Sequence, residues 1–166
     1  MCLNTKTSVY SVAENDIKCY KVLLLCDGEF MTPYQKTPIR KIVVDGKTPF
    51  FADGEKSIKG MDYNSDNTSV YDAFSNKYVI GNGFIHTYKS LTSAWYLKNH
   101  IEFIHPKYVC CIFECEIPKG AKYYEGEDDF YEVAFASEKI KFIKEIKIDV
   151  HEQIMMNIDV ISGIHF

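Results

Sequence analysis

Arginine is almost missing from this chain of 166 residues, where Arg40 stands alone among 19 basic side chains. A bidentate grip on phosphate or carboxylate has to come from Arg40, and any other anion site must use lysines or backbone N–H groups. The Lys, Ile, Asn and Tyr bias that accompanies the shortage is also what an AT-rich coding sequence produces. With a net charge of −4 and a pI near 5.7, the chain lacks the concentrated positive surface that nucleic acid requires of a partner. The six cysteines, Cys2, Cys19, Cys26, Cys110, Cys111 and Cys115, contain no C-x-x-C pair, so neither a zinc ribbon nor a disulfide framework is expected. Asp62-Tyr63-Asn64-Ser65-Asp66-Asn67 has the acids of a calcium loop without its turn glycine or closing glutamate, and no metal site is assigned. No apolar run approaches the ~20 residues of a membrane span, and no leader is legible. A cytoplasmic protein with no membrane contact is the expectation.

What the chain does have is apolar mass: 46% of residues are hydrophobic, with 12 Tyr and 11 Phe, more than a minimal core needs and enough for an interface or a ring-stacking pocket. Its length suits a single domain spanning 1–166. Residues 1–16 read as a polar arm, and Ile17 to Cys26 as a strand that turns at Asp27-Gly28 into residues 29–32. A second hairpin is expected from Lys41–Val44 through Asp45-Gly46 to Lys47–Phe51. Residues 52–76, rich in Gly, Asp, Asn, Ser and Lys, read as a long surface loop. Ser90 caps an expected helix over 91–103, whose inner face carries Leu91, Ala94, Trp95, Leu97 and Ile101. Strands are expected over 107–117, with odd positions Val109 to Ile117 inside, and over 139–150, with Ile140, Phe142, Ile146, Ile148 and Val150 inside. Together these predict an α+β fold: a mostly antiparallel sheet with one main helix and hairpins.

Three groupings carry chemistry. His86 and Tyr88 share one face of a strand, beside Gly81 and Gly83, where a ligand can approach backbone; the plainer alternative is a histidine satisfied within the core. Tyr123 to Glu132 packs five acids among four aromatics, a crowding that could raise a carboxylate pKa, or simply a solvated loop anchored by tyrosines. Glu132 opens the apolar run Val133 to Ala136. A candidate ligand-binding set follows: Gly81, Gly83, His86, Tyr88, Tyr96, Tyr124, Arg40 and Lys89.

An early strand-borne His and a late strand-borne Glu resemble the ADP-ribosyltransferase pattern, over residues 78–148, with Thr87 where that pattern has a glycine. The resemblance implies a nicotinamide dinucleotide (NAD) as cofactor, with His86 on its ribose, Tyr96 or Tyr124 stacking, and Glu132 activating the acceptor; His86 and Glu132 would then be catalytic. The segments 16–23, 32–34, 83–88 and 117–124 also resemble a family of small bacterial and phage proteins with no assigned activity, which implies a domain unit; a short acidic domain with such relatives suits a binding module that antagonises a host system. Three functions stand: a cytosolic binding module for a nucleotide-like small molecule or a host protein, taking no cofactor; an ADP-ribosyltransferase-like enzyme; and a pure protein–protein interaction domain.

Overall fold

The computed structural model describes residues 3–33, 39, 42–51, 69–73, 76–80, 84–149 and 151–155. Strand outweighs helix by 49% to 16%, so the expectation of an α+β fold organised around a main helix is corrected to a sheet-dominated fold. The reason lies in the short strands. Leu3–Thr5 (β1), Ser11–Val12 (β2), Pro49–Phe51 (β5) and Ser69–Asp72 (β6) are two to four residues long, too short to display alternation in the sequence, and pairing with distant strands recruits them, with Leu3 of β1 also entering the core. β1 thus takes up part of the expected arm, and β6 the end of the expected 52–76 loop, whose residues 52–68 and 74–75 lie outside the described residues.

The long strands follow the sequence closely. Ile17–Cys26 (β3) turns through Asp27 and Gly28, both at positive φ, into Glu29–Met31 (β4), as a two-residue turn demands. Lys77–Ile80 (β7), Ile85–Tyr88 (β8), Val109–Ile117 (β9), Lys122–Glu127 (β10), Val133–Ser137 (β11) and Lys139–Ile146 (β12) complete the set. The sheet runs β5-β12-β9-β3-β8-β11-β10-β1-β7-β6, with β2 on β10 and β4 on β3, and its ladders are antiparallel. The second expected hairpin does not form among the described residues. Asp45 instead accepts the N–H groups of Lys47 and Thr48, Val44 bridges Phe142, and β5 pairs with β12.

One helix, Leu91–Ile104 (α1), crosses the sheet, capped by Ser90, whose hydroxyl accepts the Ser93 N–H at 3.0 Å. Its inner residues Ala94, Trp95, Leu97 and Ile101 meet Val22, Leu24, Tyr88, Cys110 and Ile112. The opposite face of the sheet has its own core of Cys19, Leu23, Phe113, Cys115, Ile117, Ile140 and Phe142. β9 therefore buries Cys110 and Ile112 on one face and Phe113, Cys115 and Ile117 on the other, while Cys111 is half-buried and Val109 exposed, so the expectation of odd positions alone inside is corrected. β12 contains a bulge between Phe142 and Lys144. An extra residue reverses the side of everything after it, so Ile140 and Phe142 enter one core while Ile146 and Ile148 pack against the other. That reversal shapes the site below.

Candidate functional site

Strand β8 carries His86 and Tyr88 on the α1 side of the sheet, opposite Ala136 and Ala134 of β11. His86 Nε2 lies 3.3 Å from the Ile80 carbonyl, tying β8 to the end of β7. Burial first, then the neighbouring Lys21 ammonium, push its pKa down to about 3, so the ring is neutral at physiological pH. The Tyr88 hydroxyl donates to Asp128 Oδ2 at 2.6 Å, with both residues buried. Asp128 Oδ1 in turn accepts the N–H groups of Phe130 and Glu132 at 2.8 and 2.9 Å. This closed loop holds Tyr131 at a φ of 63°, a backbone region that side-chain-bearing residues rarely enter.

Glu132 does not meet His86. Its residue lies four positions along β11 from Ala136, the partner of His86, a spacing of about 13 Å at the usual strand rise. Its Oε2 accepts the Ser93 hydroxyl at 2.5 Å instead, fastening the acidic loop to the first turn of α1. The other acids of that loop are similarly occupied: Glu125 pairs with Lys89 at 2.9 Å and Glu127 with Lys77 at 3.0 Å, while Asp129 is exposed. Tyr124 is buried, its ring edge-on to Phe84 and Tyr10 and its hydroxyl on the Ser8 carbonyl. Tyr96 stands on the outer face of α1, stacked on His100 and edge-on to Phe130. Gly81, Gly83 and Arg40 lie outside the described residues. The structure thus groups Tyr88 with Glu132 through Asp128, sets His86 and Tyr124 in one row across the sheet on either side of Ala136, and leaves Tyr96 apart on the outer face of α1.

A concave site lies elsewhere, about the middle of α1 rather than its first turn. A cavity of about 180 Å³ opens between Trp95 and Lys98 of α1, Cys110 to Ile112 of β9, and Glu145 to Ile148 where the chain leaves the sheet, with Gln153 closing one side. The bulge in β12 brings Ile146 and Ile148 to its wall. The Trp95 side chain is buried, yet its indole N–H meets no acceptor among the described residues, a costly state for a buried donor. Lys98 lies over the indole ring at 5.3 Å and pairs with Glu102 at 2.6 Å, and Glu102 also accepts the Cys110 N–H at 2.8 Å. Burial pushes the Cys110 thiol up to about 12, and burial followed by the Glu145 charge raises Cys111; neither is a ready nucleophile.

Sequence reasoning passed over this site because its residues look structural: Trp95 and Lys98 occupy an ordinary helix face, and residues 144–148 an ordinary alternating strand. The i, i+3 spacing of Trp95 and Lys98 was the available signal. Among the described residues no group of His, Cys, Asp and Glu is placed to hold a metal, and no helix is long and apolar enough to cross a membrane. Comparison with protein-family models, curated proteins and solved structures finds no match to the chain.

Proposed function

We propose that this protein is a cytoplasmic binding module, and that its ligand is a small molecule held in the cavity between α1, β9 and the end of β12. The observation that carries the reading is that Trp95 walls this cavity together with Lys98, Ile112, Ile146 and Ile148. A concavity lined by an aromatic residue, aliphatic side chains and a few charged groups fits a small partner supplied from outside. The transferase reading lacks comparable support, since His86 is neutral and half-buried against the Ile80 carbonyl and Glu132 is committed to Ser93.

Trp95 is the single tryptophan of the chain, so its fluorescence reports on the cavity alone. Titration with a panel of nucleobases, nucleotides, small acids and small amines is expected to shift the emission saturably for at least one class. Flat titrations throughout, with no small molecule retained in native mass spectra, would overturn the reading.

A host protein as partner finds its own support on the outer face of α1. Phe103 is 85% exposed and Ile104 51%, in line with Tyr96 and His100, and Tyr131 beyond them is 79% exposed. Aromatic anchors of this kind dominate protein interfaces. A Phe103→Asp variant that still captures any host partner found with the native chain would remove this alternative.

A further inference from the structure

The apolar stripe on the outer face of α1 has opposite charges at its two ends. Tyr96, His100 and Phe103 recur at i, i+4 and i+7, which sets them in one line along the helix. Phe103 and its neighbour Ile104 are exposed, and Phe130 of the β10–β11 loop widens the stripe by packing edge-on to Tyr96 and His100 at 5.6 and 5.0 Å. Exposed aromatic surface of this kind marks a contact site on a folded chain. Beside Phe130, at the end toward the first turn, Asp129 is exposed and forms no ion pair with a described residue. At the other end, just past the helix, Lys107 is exposed and likewise forms none. Between them Lys98 and Glu102 cancel each other in a pair at 2.6 Å. The distance from Ser93, where the acidic loop is fastened, to Ile104 is about 17 Å at the usual helical rise, so the two free charges stand well apart.

That order of charges selects the partner. A cationic peptide would ask for acids along the whole stripe and an anionic one for lysines, whereas a second α1 running the opposite way meets acid with base at both ends. We propose that this face joins two copies of the chain about a two-fold axis, with their α1 helices antiparallel. With the axis near His100, Phe103 of one copy packs on Tyr96 and Phe130 of the other, and Lys107 of one approaches Asp129 of the other. Two-fold symmetry makes every such contact twice, and the opposed helix dipoles add to the match.

Sedimentation of the full chain from micromolar to millimolar concentration is expected to show a monomer–dimer equilibrium. Phe103→Asp should weaken the dimer at least about tenfold and leave the urea midpoint in place, because the side chain is exposed. Asp129→Lys should weaken it about threefold by setting a like charge against Lys107, and adding Lys107→Asp should bring the affinity back to within about twofold of native. A chain that stays monomeric throughout the range, or a dimer indifferent to Phe103→Asp, overturns the proposal and returns the face to a foreign protein. A charge exchange that fails to restore affinity overturns the antiparallel pairing of two copies. Each of these results leaves the cavity and its ligand reading untouched.

Discussion

The two regions served by α1 treat their polar groups in opposite ways. At its first turn Ser90, Ser93, Glu132, Asp128 and Tyr88 form a connected set in which each group has a partner, with Lys89 and Glu125 paired outside it. At its middle, Trp95 buries an indole N–H with no acceptor among the described residues, beside open volume. The first-turn region holds the residues whose types suggest chemistry, and their hydrogen bonds are spent on joining the acidic loop to the helix. The mid-helix region has the composition of ordinary core and rim, and it retains unspent hydrogen-bonding capacity. A satisfied polar network stabilises and rigidifies, whereas an unmet buried donor costs stability.

Breaking the satisfied region should cost the most. Asp128→Ala removes the acceptor of the Tyr88 hydroxyl and of two backbone N–H groups inside the protein, and the midpoint of urea unfolding should fall by an amount equivalent to about 4 kcal/mol. A loss below about 1 kcal/mol would mean that the loop is not anchored there.

Acid should come next. His86 is held neutral in the fold to about pH 3, while the unfolded chain takes up its proton near 6.5. Between those values the unfolded state binds more protons, so this contribution is complete above pH 6.5 and is lost as pH falls toward 3. By pH 4 the loss amounts to about 3 kcal/mol relative to pH 7. His86→Gln should flatten the stability profile over that window relative to the native chain; superimposable profiles would show that the ring titrates normally.

A smaller cut sharpens the contrast. Ser93→Ala detaches Glu132 from the helix and removes the hydroxyl beside Ser90, at a cost of about 1 kcal/mol in denaturant melts. At the cavity rim Lys147→Gln should change stability by less than about 0.5 kcal/mol. A Lys147 variant that unfolds early would make the rim structural and erase the difference between the two regions.

Much of the scaffold was legible from residue type and spacing. The Asp27-Gly28 turn and the Ser90 cap are local signals, set by backbone preference and short-range hydrogen bonding. The sheet-dominated character was not legible, because β1, β2, β5 and β6 gain their hydrogen bonds from strands far away in sequence. Nor was the site. The even-numbered Ile140, Phe142, Ile146 and Ile148 read as one face, and a single bulge sends the latter pair to the other core and into the cavity wall.

The sequence by itself determined where the long strands and the helix run, how the first hairpin turns, and that the chain carries almost no arginine for gripping phosphate. Those are consequences of residue type and short-range spacing. Only the tertiary structure decided that His86 is neutral and half-buried, that the acids of 125–132 are largely consumed in pairing and loop closure, and that Trp95 lines a cavity. Burial, charge neighbours and hydrogen-bond satisfaction depend on which distant strands come together, and a linear pattern does not encode them.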